Sequence, residues 1–192
     1  MITSKAGIEL IKQFEGLRTV AYVCPAGVRT IGYGHTKNVK LGQKCSPEQA
    51  EKWLKSDLIE FETEVTAWNY LYRWTQHEFD ALVSFAFNCG NASLRNLLKN
   101  GTRTRAQIRT AILLYNKDIN GHYLQGLANR RKAELKLFNT PDEYEDEITQ
   151  NEYETVEDIV KGIWAGDFGT PWSKSDKLYK YFLKKVNEYK RG

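Results

Sequence analysis

The chain has 192 residues, 41% of them apolar and 27% charged, which allows one medium-sized domain with a small appendage. No stretch reaches the roughly 20 apolar residues of a membrane span, and charges within the apolar pattern of the N-terminus argue against a signal peptide. Three cysteines and three histidines lack the spacing of a disulfide framework or a zinc site, so we expect a soluble, reduced, cytoplasmic protein without a metal.

The net charge of +4 is distributed unevenly along the chain. Residues 1–140 carry +8, residues 141–154 carry −7 without a basic residue, and residues 155–192 carry +3. A solvated acidic run between two apolar, periodic segments is typical of a linker. The basic flanks are attracted to polyanions such as anionic membranes or bacterial wall polymers, although solubility explains the charge equally well. No nucleic-acid-binding motif accompanies this charge, so nucleic acid is not an expected partner.

The first segment has the pattern of a helix. Thr3 or Ser4 can cap it, and apolar residues recur at helical spacing after that cap. Gly16 stands where a left-handed C-cap residue belongs, which places Glu15 in the last turn. The negative end of a helix dipole favours a protonated carboxylic acid, and such an acid is what cleavage of a glycosidic bond needs. An ordinary solvated glutamate is the alternative for an isolated residue at this position.

A β-hairpin is predicted next. The residues R-T-V-A-Y-V-C-P-A-G-V-R-T-I-G-Y-G-H are rich in β-branched and aromatic side chains and are interrupted by a Gly-containing turn. Cys24 and Thr30 are symmetric about Gly27, so we expect them opposite each other on the two strands.

The rest of the chain is predicted to be helical. Ser46, Thr75 and Thr104 are N-caps of three helices, and residues 129–138 form the last helix of the first domain. The helix after Thr75 is almost continuously apolar, which predicts a buried central helix. Two further helical stripes, separated by a turn with Gly and Pro, follow the acidic run. The predicted fold class is therefore α+β, with a small hairpin lobe, a mostly helical lobe and a small helical C-terminal module.

Four motifs resemble those of the phage-type lysozymes, glycoside hydrolase family 24. The first is Glu15, eight residues, Cys24, five residues and Thr30, where the family has Asp or, less often, Cys at the second position. The segments G-Y-G-H, F-N-C-G and G-L-A-N-R-R-K-A-E follow in the family's order. The resemblance covers residues 1–140 and implies a lysozyme-like muramidase domain over that range.

The resemblance implies hydrolysis of the β-1,4 bond between N-acetylmuramic acid and N-acetylglucosamine in peptidoglycan, with no metal or organic cofactor. Glu15 is then the general acid, and the Thr30 hydroxyl helps to hold the attacking water. Cys24 takes the place of the second carboxylate. A neutral thiol orients water and stabilises positive charge poorly, whereas a thiolate is a nucleophile. Inversion and retention of the sugar configuration therefore both remain open.

The same resemblance assigns partners to three further residues. His35 pairs with an acid on the next long helix, for which Asp57 is the candidate, and we expect this pair to stabilise the junction of the lobes. Arg130 and Arg131 either contact wall glycan or stem-peptide carboxylates, or form packed ion pairs with residues such as Glu134. A structural role is favoured for at least one of the two arginines.

Residues 155–192 resemble the short cell-wall-binding repeat of the CW_7 type found in phage lysins. The resemblance consists of an apolar helix, the turn G-D-F-G and a closing helix that contains V-N, whereas T-P-W after the turn departs from the repeat. It implies a module that binds wall muropeptide and is tethered through the linker 141–154. A purely structural helical tail is the alternative.

These features predict a monomeric phage endolysin that acts on peptidoglycan glycan strands and causes lysis without inserting into a membrane. We expect it to wait in the host cytoplasm until another phage protein opens the membrane, and then to reach the cell wall. A lytic transglycosylase and a non-catalytic peptidoglycan-binding protein remain alternatives. A disulfide between Cys24 and Cys45 after release is also left open.

Overall fold

The computed structural model describes residues 1–24 and 27–141. Pro25, Ala26 and residues 142–192 lie outside the described part. The linker predicted for residues 141–154, apart from Pro141, and the wall-binding module predicted for residues 155–192 therefore stay predictions.

The described residues form seven helices and one two-stranded antiparallel sheet, which confirms the α+β fold class. In chain order the elements are α1 (Lys5–Glu15), β1 (Arg18–Val23), β2 (Arg29–Gly32), α2 (Pro47–Ala67), α3 (Asn69–Tyr72), α4 (Gln76–Cys89), α5 (Asn91–Leu98), α6 (Arg105–Ile112) and α7 (Gln125–Phe138). No helix in this part of the chain is long and apolar enough to cross a membrane.

Side-chain caps begin four helices where the sequence predicts them. In each case a hydroxyl oxygen accepts a hydrogen bond from a backbone N–H of the first turn. The capping residues are Ser4, Ser46, Thr75 and Thr104. At α4 and α6 the backbone N–H of the cap residue donates to the side chain of the third helical residue, which completes a capping box. These starts depend on contacts within four residues and are therefore visible in the sequence.

The end of α1 has the predicted position and a different backbone conformation. Gly16 has φ 70° and ψ 147°, so its positive φ is combined with an extended ψ instead of the left-handed helical value. Such a conformation is almost restricted to glycine, because it has no Cβ. The helix stops at Glu15, which becomes its last residue.

Helix α4 lies at the centre of the helical core. Residues 78–86 are all buried, and α1, α2, α5 and α7 pack against α4. This confirms the predicted buried central helix. The burial includes Glu78, Asp80 and Ser84, whose polar groups each require a hydrogen-bond partner inside the core. Asp80, for example, accepts hydrogen bonds from the Ser4 backbone N–H and the Gln76 amide, both at 2.9 Å.

The hairpin pairs in a register that differs from the prediction. Tyr22 lies opposite Thr30, the Cys24 N–H donates to the Val28 carbonyl at 2.9 Å, and the Gly27 N–H donates to the Cys24 carbonyl at 2.8 Å. Gly27 has φ 79°, as is typical of the last residue in a three-residue hairpin loop. Because Gly27 closes the loop instead of standing at its centre, the prediction that Cys24 and Thr30 face each other is wrong. The register still places Cys24 and Thr30 on one face, a diagonal step apart.

The hairpin is attached to the helical core through β2. Residues 30–32 are buried, whereas β1 is mostly exposed. The outer edge of β1 pairs with the segment before α2, where the Ala21 N–H donates to Gln43 and the Cys45 N–H donates to Thr19, both at 2.9 Å. The buried strand β2 and the paired segment before α2 therefore hold the two ends of the loop that follows β2.

Three helices differ from the sequence prediction where no side-chain cap marks their start. The one-turn helix α3 begins at Asn69 and was not predicted. Helix α5 begins at Asn91 directly after Gly90 and was not predicted. Helix α7 begins at Gln125, four residues before the predicted start at Asn129. Tertiary packing determines where these helices begin, so the local sequence contains no signal for their first residues.

Candidate active site

Glu15, the last residue of α1, lines a cleft of about 370 Å³ between the loop after β2, helix α2 and the end of α4. The lining residues are Glu15, Gly34, Thr36, Lys37, Asp57, Glu60, Phe61, Phe87 and Asn88. The Glu15 side chain is 23% exposed, so a ligand in the cleft can reach it. A larger groove of about 780 Å³ between α1 and α7 contains none of the predicted catalytic residues.

Arg130 of α7 holds the Glu15 carboxylate from behind. Its Nη1 donates to Glu15 Oε1 at 2.6 Å, its Nε to Glu134 Oε1 at 3.1 Å, and its Nη2 to the Ser84 carbonyl at 3.2 Å. The guanidinium also lies over the Phe14 ring at 5.6 Å. Arg130 is 3% exposed, so its partners are inside the protein. The ion pair with Glu15 is a contact that sequence reasoning missed.

Arg131 is fully buried and contacts a second residue of the cleft, Asn88. Its Nη2 donates to Asn88 Oδ1 at 3.0 Å and to Glu134 Oε1 at 2.9 Å. Its Nε lies 2.8 Å from Glu134 Oε2 as a charge contact without hydrogen-bond geometry. Since Arg131 has 0% exposure, a direct contact with wall glycan is excluded and the structural role is confirmed.

Glu134 connects the two arginines. Its Oε1 accepts hydrogen bonds from Arg130, from Arg131 and from the Ser84 hydroxyl, the last at 2.8 Å. Desolvation raises the pKa of the Glu134 carboxyl, and the two guanidinium groups and the hydroxyl act against this effect. The carboxyl group has no exposed surface, so every one of these interactions is made in the interior.

The cysteines are thiols, and no disulfide joins Cys24 with Cys45. Burial raises the pKa of the Cys89 thiol, while the Arg131 guanidinium, whose Nη1 lies 2.7 Å from Cys89 Sγ, lowers it. Burial also raises the pKa of Cys45. Both thiols therefore keep their protons to higher pH than an ordinary cysteine does.

Cys24 and Thr30 lie on the hairpin and do not belong to the lining of the 370 Å³ cleft. Thr30 is 5% exposed, and its hydroxyl donates to the Val28 carbonyl at 3.1 Å. Cys24 is half-buried at the end of β1. The structure thus brings Glu15 together with Asp57 and Asn88, and it places Cys24 and Thr30 on the hairpin that leads to Gly34.

The predicted pair of His35 and Asp57 is confirmed. His35 Nδ1 lies 2.7 Å from Asp57 Oδ2, and the imidazole stacks on Trp53 with 4.9 Å between the ring centroids. Backbone hydrogen bonds of 2.9 Å in both directions between Ile31 and His35 close the loop after β2. The pair therefore joins this loop to α2, as expected for a contact at the junction of the lobes.

Several residues of the cleft had no role in the sequence prediction. Asn88 belongs to the F-N-C-G segment and is placed at the cleft because α4 ends one residue later, at Cys89. Glu60 and Phe61 follow Asp57 on α2 by about one helical turn, which is the only signal that could have found them. Within the described residues, no group of three or more His, Cys, Asp or Glu side chains is arranged to hold a metal ion.

Comparison with known proteins decides the family. A family model for phage lysozymes matches residues 12–134. The chain belongs to the phage lysozyme family. This phage lysozyme is 36% identical over 148 residues to an endolysin of Acyrthosiphon pisum secondary endosymbiont phage 1, an alignment that covers 73% of the chain and 99% of that relative.

Two further proteins are similar to this phage lysozyme over a comparable share of the chain. An endolysin of Bacillus phage B103 is 43% identical over 150 residues, and the alignment covers 73% of the chain but about half, 55%, of that relative. The muramidase domain of SpmX from Asticaccaulis excentricus superposes with a TM-score of 0.65 at 38% identity, covering 72% of the chain and 98% of that structure. The lysozyme-like fold is therefore confirmed.

Proposed function

We propose that this phage lysozyme is an endolysin that hydrolyses the β-1,4 bond between N-acetylmuramic acid and N-acetylglucosamine in peptidoglycan and so lyses the host cell. The observation that carries the proposal is the position of Glu15, which ends α1 inside an open cleft and is held there by Arg130. Membership of the phage lysozyme family over residues 12–134 supports the reaction class.

Glu15 acts as the general acid. Arg130 engages Oε1, so Oε2 carries the proton to the glycosidic oxygen as that bond breaks. The departing sugar therefore leaves as an alcohol instead of an unfavourable alkoxide, while positive charge develops at the anomeric carbon. The half-buried position of Glu15 allows substrate to displace water from the acid while Arg130 keeps its orientation.

Thr30 and Cys24 act on the attacking water. Because the Thr30 hydroxyl donates its proton to the Val28 carbonyl, its oxygen remains an acceptor that can orient a water molecule. Cys24, on the same face of the hairpin, flanks this water with a weakly polar thiol. Attack by water inverts the anomeric configuration. Attack by a Cys24 thiolate forms a covalent glycosyl-enzyme, and water then breaks its C–S bond, so the two displacements together retain the configuration. NMR of the first anomer formed distinguishes the two routes.

The test is mass spectrometry of fragments released from purified peptidoglycan by the protein and by Glu15→Gln. The protein is expected to release fragments with reducing N-acetylmuramic acid ends, and loss of the general acid should lower the rate by about 10²–10⁴-fold. Glu9→Gln is the matched control, because Glu9 lies on the same helix, is 55% exposed and pairs with Lys12. It should cleave like the unaltered protein.

Two other results would each replace this function with an alternative. Anhydro-muramic ends would identify a lytic transglycosylase, in which a hydroxyl of the sugar substitutes for water. Binding to isolated walls without any released fragment would identify a non-catalytic peptidoglycan-binding protein.

The proposal includes the rest of the chain. Residues 141–154 form an acidic linker, and residues 155–192 form a muropeptide-binding module of the CW_7 type, as the charge pattern and the motif resemblance support. The protein acts as a monomer on glycan strands. It stays in the host cytoplasm until another phage protein opens the membrane, and then reaches the cell wall.

A further inference from the structure

We propose that Glu134 is a positioning residue that fixes two cleft residues, Glu15 and Asn88, relative to each other through two buried arginines. This inference rests on the proposed function of Glu15 as the general acid. Glu134 itself touches neither substrate nor reacting atoms, because it has no exposed surface.

The two connections leave Glu134 in different directions. One runs through Arg130, whose Nε binds Glu134 and whose Nη1 binds Glu15 at 2.6 Å. The other runs through Arg131, whose Nη2 is shared between Glu134 at 2.9 Å and Asn88 at 3.0 Å. Both Glu15 and Asn88 line the same cleft. The Glu134 carboxylate therefore contacts both the arginine that holds Glu15 and the arginine that holds Asn88.

Burial makes these connections rigid. Arg130 and Arg131 are 3% and 0% exposed, so neither guanidinium can turn away from Glu134 and find water instead. The Ser84 hydroxyl on α4 donates to the Glu134 carboxylate and so restricts the rotation of that carboxylate. Arg130 and Arg131 also lie over the rings of Phe14 and Phe85, which restricts the guanidinium planes.

The connection to Asn88 determines which end of its amide faces a ligand. Asn88 Oδ1 accepts hydrogen bonds from Arg131 Nη2 and, at 3.6 Å, from the Cys89 thiol. An amide whose oxygen is occupied by protein donors presents its NH₂ group elsewhere. Because Asn88 is an exposed residue of the cleft, this NH₂ is available as a hydrogen-bond donor to a substrate oxygen.

Glu134→Gln keeps the size of the side chain and removes its charge. The two arginines then lose the negative charge between them, and the new NH₂ group takes the place of Oε2, 2.8 Å from Arg131 Nε, so that two donors face each other. Glu15 and Asn88 remain present but lose their fixed geometry. Loss of geometry at a general acid lowers turnover more than it lowers substrate affinity. Glu134→Gln should therefore reduce kcat by roughly 10–100-fold on soluble peptidoglycan fragments, with KM changed by less than about threefold.

Glu78→Gln is the matched control. Glu78 is also a buried glutamate, 4% exposed, and it also pairs with an arginine, Arg105, at 2.7 Å. Neither Glu78 nor Arg105 lines the cleft. Neither takes part in the ion pairs that join Arg130 and Arg131 to Glu134 and Arg130 to Glu15. Both variants are measured well below their Tm, so that loss of folded protein does not enter the rates. Glu78→Gln is expected to keep kcat within twofold of the unaltered protein.

An NMR measurement tests the inference without activity. The side-chain NH₂ signals of Asn88, assigned by their disappearance in Asn88→Asp, should shift in Glu134→Gln and remain in place in Glu78→Gln. Ser84→Ala, which removes one donor to Glu134, replaces Glu134→Gln if that variant does not fold, and the same Asn88 signals should then shift. If the protein released no fragments, the proposed function would fail while this arm could still be read.

Two results would overturn the inference. One is a folded Glu134→Gln protein with kcat equal to that of Glu78→Gln. The other is an Asn88 side-chain signal that neither Glu134→Gln nor Ser84→Ala changes.

Discussion

At the scale of single residues, the sequence shows Glu15 only as the last residue before the end of α1. The structure adds Arg130, which lies 115 residues further along the chain and donates from Nη1 to Glu15 Oε1 at 2.6 Å. Charge-assisted hydrogen bonds are shorter and stronger than neutral ones. Arg130 therefore fixes the orientation of the Glu15 side chain, and only the assembled fold reveals this contact.

Gly32 gives a prediction at this scale. It has φ 67°, and a Cβ at this position would lie 3.1 Å from Ala50 Cβ and 3.4 Å from Ala50 Cα. Gly32→Ala should therefore lower the free energy of unfolding by more than the roughly 1–2 kcal/mol of left-handed backbone strain alone. Thermal denaturation monitored by circular dichroism measures the loss.

The control for Gly32→Ala is Gly121→Ala. Gly121 has φ 83° and nothing within 4 Å of an added Cβ, so this variant isolates the backbone strain. Equal losses of stability in the two variants would show that the approach of β2 to α2 at Gly32 is not tight.

At the scale of secondary-structure elements, α7 builds the buried charge cluster within little more than one turn. Arg130 and Arg131 precede Glu134 by four and three residues, so all three side chains project from neighbouring positions of one helix. The sequence motif located these residues and offered Glu134 as a partner. It did not reveal Glu15 or Asn88 as further partners, because those contacts depend on how α7 packs against α1 and α4.

The difference between local contacts and contacts made by packing also separates the elements that were predicted from those that were not. Helices with a hydroxyl cap, such as those after Ser4 and Thr75, were found because the cap is a local interaction. Helix α5 begins without a side-chain cap and was missed. The hairpin register depended on whether Gly27 centres or closes its loop, and composition alone does not decide this. The family resemblance named Glu15, and the cleft around it required the assembled fold.

The contact between α2 and α5 gives a prediction at the scale of elements. Glu64 of α2 accepts hydrogen bonds from Arg95 Nε at 2.8 Å and Nη2 at 2.6 Å. The Arg95 guanidinium lowers the pKa of the Glu64 carboxyl. A carboxyl whose pKa is lowered in the folded state stabilises the fold above its unfolded pKa of about 4.3, and this contribution is lost as the pH falls through the folded value.

Glu64→Gln should therefore reduce the free energy of unfolding at pH 7 by about 0.5–1 kcal/mol, since solvent screens the half-exposed Arg95. The difference should shrink as the pH falls below about 4. Urea denaturation at several pH values measures it, with Glu60→Gln on the exposed side of the same helix as the control. A loss that stays constant with pH would contradict an ionic contribution.

At the scale of the whole molecule, attraction by charge and a C-terminal binding module predict opposite effects of removing residues 142–192 on binding to cell walls. Residues 1–141 carry +8, and residues 142–192 carry −4 in total. If attraction to an anionic wall depended on charge alone, removal of residues 142–192 would strengthen binding. If residues 155–192 form a binding module, the same removal weakens binding, because a tethered second site raises the effective concentration of the enzyme on its polymer.

We expect the module to dominate, so a chain that ends at residue 141 should bind isolated cell walls at least about tenfold more weakly. Its turnover of soluble fragments should stay within about twofold, because all residues of the candidate site lie before residue 141. Sedimentation with purified walls at low and high salt provides the measurement. Unchanged or tighter binding would reject the module.

The distance in sequence between Glu15 and Arg130 also affects when activity can arise during synthesis. A ribosome that adds about 5–20 residues per second needs roughly 6–23 s to pass from the first of these codons to the second. Until then the growing chain has its acid without the cation that holds it, and a fragment terminated before α7 has neither Arg130 nor Glu134. The order of synthesis therefore makes the candidate acid early and the two residues that fix its position late.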